Sequence, residues 1–276
     1  WQDATTHVLN HGLHYGSCVF EGLRVYSSDI YKLEKHTDRL FHSANRMGME
    51  VPYTKNELND AQEQIIKKMN ISYGYIRPVI WRGSEMMAIS AQKNKINVAI
   101  ATWEWPSYFS SEDRLKGIAL QTAEWRRPPA NTIPTDAKAA GLYMICTLSK
   151  HKAEKDGFTD ALMLDYEGKV AESTGSNIFF VFNGELHTPI PHCFLDGITR
   201  QTAISIAKKQ GIKVVQRDIY PEEIKDAQEI FLTGSAVEIN PVRKIDDLEF
   251  KVGKVTSMIS DLYLSEVDKN YKIDKS

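Results

Sequence analysis

The segment Leu195–Gly211, LDGITRQTAISIAKKQG, sets Gly197 at a sharp turn and Thr199 at a helix start. Ala203, Ile206 and Ala207 form the buried stripe behind them, and Lys208, Lys209 and Gly211 close the helix. A helix N-terminus presents unpaired backbone N–H groups, and a hydroxyl beside them makes a phosphate cradle; a plain N-cap is the other use of the same residues. A second small-residue turn, TGSAVE (Thr233–Glu238), follows the apolar run EIFL, so that two turns could share one anion. Lys138, in NTIPTDAKAAGLY (Asn131–Tyr143), is surrounded by Ala137, Ala139, Ala140 and Gly141, which leave room for a bulky group on the amine. A lysine in an apolar niche has a lowered pKa and can attack an aldehyde to give a Schiff base. Spacing alone favours a surface lysine among many.

Other combinations carry less. His7, His11 and His14 have a spacing that could place them on one helical face, but no HExxH and no acidic ligand pattern accompany them, so packing and hydrogen bonding are expected rather than metal. His187, His192 and Cys193 lie in a Pro-interrupted loop. No P-loop, GxGxxG, GxSxG or zinc ribbon occurs. The three cysteines, Cys18, Cys146 and Cys193, are far apart, which implies neither a disulfide framework nor a cysteine zinc site and fits a reducing, cytoplasmic setting. Lys plus Arg number 34 against 36 Asp plus Glu, a net charge of −2, so no global field favours nucleic acid or an anionic membrane. Any anion must be held locally.

The elements that position these residues follow from periodicity. With 276 residues, 42% hydrophobic and 25% charged, the chain can bury a sizeable core in one large or two modest domains. The longest apolar runs, Ile96–Thr102 and Asn177–Phe182, are strand-sized and well short of a membrane span. Lys35–Met47 and Asn56–Met69 read as helices, the second capped by Asn56, and Tyr75–Trp81 and Ile96–Thr102 as strands. These make a small α+β domain over residues 1–103. Residues 104–117 mix Pro, Ser, charges and aromatics and read as an interdomain loop. Beyond it, strands at Ile118–Thr122, Asp160–Asp165, Asn177–Phe182, Val214–Gln216 and Glu229–Thr233, with helices at Tyr143–Asp156 and Thr199–Gln210, predict a sheet with helices packed on it over residues 118–276.

Taken in order, HGLHYGSCVFEGLRVY (His11–Tyr26), HTDRLFHSA (His36–Ala44), YIRPVIW (Tyr75–Trp81), NTIPTDAKAAGLY, GKVAESTGSNIFF (Gly168–Phe180), LDGITR and TGSAVEINPVR (Thr233–Arg243) resemble the fold-type IV pyridoxal-phosphate enzymes. Within that family they resemble the branched-chain amino acid aminotransferases, over nearly the whole chain. Relatives carry an N-terminal strand before the position of Trp1, so upstream residues are expected to be missing. The resemblance implies an α/β fold of two domains. It also implies a pyridoxal 5′-phosphate cofactor and a ping-pong transfer of an amino group from leucine, isoleucine or valine to 2-oxoglutarate. The rivals within the fold are D-amino acid or (R)-amine aminotransferases and aminodeoxychorismate lyase; YIRP and GLRVY fit the branched-chain group better. A carrier of the cofactor without turnover is disfavoured by Lys138, Glu172 and Tyr143 occurring together.

The same resemblance implies roles. Lys138 holds the cofactor covalently and then moves the proton at substrate Cα, and Glu172 faces the pyridine nitrogen. Tyr143 bonds the phenolic oxygen. Arg39, Ile198 through its backbone, Thr199 and Ser235 hold the phosphate. Phe20, Tyr75, Trp105, Tyr108 and Ala236 line the substrate pocket, with Tyr15 reaching in from a second subunit. Arg77, two residues past Tyr75 and on the same side of a strand, is placed to meet an acidic cosubstrate, and Arg24 supports that wall or makes an ion pair. The partners implied are amino acid and 2-oxo acid substrates and a second copy of the chain, without metal, nucleic acid or membrane. The apolar, Met-rich segment Glu85–Ile89 fits a subunit interface.

Overall fold

The computed structural model describes residues 3–105 and 116–273. The chain forms two compact units: Trp1–Glu104 with Ala137–Met144, and Trp105–Asp136 with Ile145–Ser276. The segment that carries Lys138 therefore packs with the first unit although it lies late in the sequence.

In the first unit a short helix α1 (His11–Tyr15) leads into strands β1 (Cys18–Phe20), β2 (Leu23–Tyr26) and β3 (Asp29–Ile30). Helices α2 (Leu33–Arg46) and α3 (Lys55–Met69) follow, then the long hairpin of β4 (Gly74–Arg82) and β5 (Ile96–Glu104). One edge of β4 pairs with β5; the other pairs with β1 and β2 in tandem and in a single continuous register, Phe20 opposite Val79 and Leu23 opposite Ile76. The break between β1 and β2 falls opposite Pro78, which has no N–H to give, while Glu21 N still donates to Pro78 O at 3.0 Å. Leu23, Val25, Ile76, Leu33 and Ile66 close the core beneath α2 and α3. The cap of α3 is Thr54, not Asn56: its hydroxyl accepts Glu57 N, and the Glu57 carboxylate accepts Thr54 N, a reciprocal pair that Asn56, already inside the helix, cannot make.

The second unit holds strands β6 (Ile118–Arg127), β7 (Asp160–Asp165), β8 (Val170–Ser173), β9 (Asn177–Phe182) and β10 (Glu185–Thr188). Strands β11 (Val214–Gln216), β12 (Glu229–Gly234), β13 (Glu238–Ile245) and β14 (Leu248–Glu249) complete its sheet. Their order is β11-β10-β9-β12-β13-β6-β7-β8, with β14 beside β13 and β8 also paired to β9. Helix α4 (Tyr143–Lys155) runs into this unit, which also contains α5 (Ile198–Lys209) and α6 (Lys254–Val267). Both faces of the central strands are covered, which is why NIFFVF is apolar at every position but its first. On one face Leu162, Phe180, Ile230, Leu232 and Val242 pack together; on the other Ala161 and Met163 meet Ala153 of α4, and Phe179 stacks on Phe231 with ring centroids 5.0 Å apart. Small residues on that second face let a helix lie close. Glu104 completes β5 rather than opening a loop, and β6 runs five residues beyond Thr122 to Arg127.

Candidate active site

Helix α2 repeats at three and four residues, so His36, Arg39 and Ser43 share one face. Each has work on it. Ser43 is fully buried and its hydroxyl accepts Lys138 N at 2.9 Å. From the other side Phe20 N donates to Lys138 O at 3.1 Å, and Val19 pairs with Ala139 as an isolated bridge. The Lys138 backbone is thus fixed by α2 and β1. Its Nζ donates to the Tyr143 hydroxyl at 2.7 Å and lies 5.0 Å from the centre of the Phe20 ring.

The Lys138 pKa departs from the sequence expectation. Burial alone pushes the amine down, but the facing oxygen of Tyr143 and the Glu21 carboxylate outweigh burial and Arg39, and the net direction is up. The niche is small but not apolar.

Glu21, not singled out by the sequence, organises this part of the first unit. It has no exposed surface, and it accepts Arg39 Nε at 2.6 Å, Arg39 Nη2 at 3.0 Å and His36 Nδ1 at 2.7 Å. Burial would raise the Glu21 carboxyl; Arg39 and His36 hold it well below the usual carboxylate range. Burial, with Arg39 and Lys138 nearby, lowers the His36 pKa despite Glu21, so the imidazole is neutral. The side-on fork of Arg39 is fixed on Glu21.

Tyr75 and Arg77 project from the same face of β4. Arg77 Nη2 lies 3.4 Å from the Tyr75 hydroxyl, and its guanidinium lies over the Phe20 ring at 4.6 Å. Arg77 Nε is buried with no hydrogen-bond partner among the described residues. The close approach needs Gly22: a Cβ there would stand 1.8 Å from the Tyr75 hydroxyl. Trp103, not predicted, packs on Tyr75 with centroids 5.2 Å apart. Arg24 is buried and stacks over Tyr26 at 5.1 Å. Tyr15 is half exposed, its ring stacked on His11; His11 bonds Ser17 Oγ and Ala88 O, and His14 bonds Val8 O. Among the described residues no group of three His, Cys, Asp or Glu is placed to hold a metal ion.

In the second unit Glu172 on β8 is buried, with Arg127 Nε of β6 at 3.4 Å. Arg127 also donates to Cys193 O and to the Cys146 sulfur. All three cysteines are free thiols; burial pushes Cys18 and Cys146 up to about 11 and Cys193 up to about 12. The α5 cap is Gly197, which has no side chain to cover the first N–H groups, and Thr199 is the second helical residue rather than the cap. Ile198 and Thr199 are buried, and α5 packs on β12, whose end turns through the partly buried Ser235 and Ala236. Trp105 follows β5 and packs with the second unit. Tyr108 lies outside the described residues. Arg127 and Asn177 were not singled out from sequence, since nothing local marks a cation on β6 as the neighbour of an acid on β8.

The chain matches the amino-transferase class IV family over residues 18–245. It is 40% identical over 274 residues to the branched-chain-amino-acid aminotransferase of Pseudomonas aeruginosa, covering 97% of this chain and 89% of that one. Two crystal structures of the branched-chain amino acid aminotransferase from T.th. are alike in fold. The one with pyridoxamine 5′-phosphate has a TM-score of 0.94 at 37% identity, covering 96% of this chain and 90% of that chain. The one complexed with N-(5′-phosphopyridoxyl)-L-glutamate has 0.92 at 37%, covering 96% and 89%. On these likenesses of sequence and fold, the chain belongs to the class IV aminotransferases, among the branched-chain-amino-acid aminotransferases.

Proposed function

We propose that this chain transfers an amino group between leucine, isoleucine or valine and 2-oxoglutarate in two successive half-reactions, with pyridoxal 5′-phosphate as its cofactor. The observation that carries this is the part-buried Lys138 amine hydrogen-bonded to Tyr143 within the family's motif. The residues present fit that cofactor: the first unit offers a part-buried amine for its aldehyde, a phenol beside the amine and an arginine, and the second offers a buried acid for its ring nitrogen and a bare helix start for its phosphate. When bound, the cofactor supplies an aldehyde for the amino group and a ring that draws electrons from the Cα–H bond.

The protein's part follows residue by residue. Lys138 Nζ moves a proton at substrate Cα, and Tyr143 orients that amine. Glu172, held against Arg127, keeps a proton on the ring nitrogen. Arg39, the Ile198 backbone, Thr199 and Ser235 bind the phosphate dianion. Phe20, Tyr75, Trp105, Tyr108 and Ala236 hold the substrate, and Tyr15 does so from a second subunit. Arg77 receives the distal carboxylate of glutamate; its buried, unmet Nε–H supports that role. Residues 1–103 and 118–276 serve as two domains, with Ala137–Met144 of the later stretch packed in the first. Exposed Leu13, Met86, Met87 and Ile89 support a homodimer. No described helix is long and apolar enough to cross a membrane, and a cytoplasmic location fits three free thiols.

Lys138→Ala is expected to keep the fold, because the replacement is small, and to lose nearly all turnover. A panel of single half-reactions with L- and D-amino acids should show the L-branched-chain set fastest. Measurable steady-state transamination by the alanine variant, or a preference for D-amino acids, would overturn the assignment.

A further inference from the structure

Asn177 opens β9, directly opposite Glu172 on β8. Its side chain is buried and touches three groups of the second unit. Nδ2 donates to Leu195 O at 2.9 Å and lies 3.4 Å from Glu172 Oε2, and Oδ1 accepts Gly197 N at 3.1 Å. Only an amide in this orientation satisfies all three, because a donor must face the carboxylate and the carbonyl while an acceptor faces the N–H. The contact also explains the cap glycine: a Cβ on Gly197 would stand 2.2 Å from Asn177 Oδ1. One side chain therefore joins the acid on the sheet to the first turn of α5.

We infer that Asn177 is a positioning residue that sets the span between the acid serving the cofactor's ring nitrogen and the helix start serving its phosphate. This role rests on the placement of Glu172 and Thr199 proposed above. A ligand with two fixed ends binds tightly only where its two subsites stand at the matching distance, and a side chain that joins the subsites means that filling and ordering one lessens the ordering cost of filling the other. A free strand end beside a free loop would leave that span to fluctuate. Asn177 removes the freedom with a donor at one end of its amide and an acceptor at the other.

The experiment splits the cofactor into two probes, pyridoxal and inorganic phosphate, and titrates the full chain, freed of cofactor, with each alone and with both. In the parent, phosphate is expected to tighten pyridoxal binding by about fivefold or more, the lower end of ordinary coupling between two sites. By reciprocity, pyridoxal tightens phosphate by the same factor. In Asn177→Ala that factor should fall to within about twofold of unity, a loss that a merely structural role with intact subsites does not produce. Asn177→Asp keeps the acceptor for Gly197 N and loses the donor toward Glu172, and it decides the matter if the alanine variant does not fold. It should bind phosphate alone within about threefold of the parent, lose the coupling, and shift the pH dependence of pyridoxal binding upward, since two adjacent carboxylates hold a proton more tightly. Coupling retained in both variants, or absent from the parent, overturns the role. Glu172→Gln and Thr199→Ala serve as controls. If the first leaves pyridoxal binding unchanged and the second leaves phosphate binding unchanged, the placement of the two subsites is wrong and the bridge falls with it.

Discussion

A carboxylate without solvent persists in a protein only where cations or donors meet it, and Glu21 meets a guanidinium fork and an imidazole. That arrangement has a pH signature. His36 stays neutral in the fold with its pKa below the ordinary 6.5, so the unfolded chain binds more protons beneath that value, and stability falls as pH drops from there toward the folded value. Glu21, depressed, keeps its stabilisation above the ordinary 4.5 and loses it only as pH falls further through its folded value. Folding stability should therefore decline as pH drops below about 6.5, by at most about 1.4 kcal/mol per pH unit per proton, lowering the thermal midpoint, and His36→Gln should flatten that slope. An unchanged slope would place the titration elsewhere. Arg77 makes a second test. Removing one member of a desolvated charge pair costs about 2–5 kcal/mol, so Arg77→Met should depress the glutamate half-reaction strongly and the leucine half-reaction mildly. Equal losses in single-turnover rates for the two would mean a structural or α-carboxylate role. Lys138 and Arg39 were marked only by the family resemblance of their motifs, since spacing alone reads Lys138 as a surface lysine. Glu21 was not, because its partners lie 15 and 18 residues away and become its neighbours only when α2 packs on β1.

At the scale of elements, the site depends on how closely backbone can approach side chain. Gly22, in the break between β1 and β2, lets the Tyr75 hydroxyl stand where a Cβ would be. Gly22→Ala must push that ring aside, at a cost of about 1–3 kcal/mol for overpacking. Because Tyr75 carries the contact to Arg77, the variant should also lose part of its glutamate half-reaction; a lower thermal midpoint with unchanged glutamate kinetics would separate the packing from the site. Strands buried on both faces announce themselves, and β7 and β9 stand at their expected ends, as does the partly exposed edge strand β11. The short β1, β2 and β3 do not, since two to four residues give no period to read; β1 and β2 find their partner in β4, far along the chain, and β3 pairs only with β2. The α6 start was hidden for the same kind of reason: Glu229, from β12, supplies the acceptor for Val255 N and Thr256 N, so the sequence before α6 has no capping side chain of its own.

For the molecule as a whole, the informative surface is apolar and built rather than loose. Asn94 braces the Gly83–Met86 turn through Gly83 O, Met86 O and Met86 N, and His11 Nε2 ties Ala88 O to α1. The frame holds Met86, Met87, Ile89 and Leu13 in solvent, with Ile89 87% exposed. Ordered apolar surface of this kind fits burial against a second copy. Sedimentation should find a dimer, and Ile89→Asp with Leu13→Asp should shift it toward monomer with loss of turnover; a fully active monomer at micromolar concentration would exclude the shared site. Complementation then tests whose Tyr15 is used. Tyr15→Ala and Lys138→Ala chains are each expected to be impaired alone. If Tyr15 serves the partner's site, a dimer of one chain of each kind has one site with both residues intact. Equal mixing makes about half the dimers mixed, each with one competent site of two, so re-equilibrated mixtures should recover about a quarter of the parent activity. If Tyr15 serves its own chain, every site in the mixture lacks one residue or the other, and mixing restores nothing.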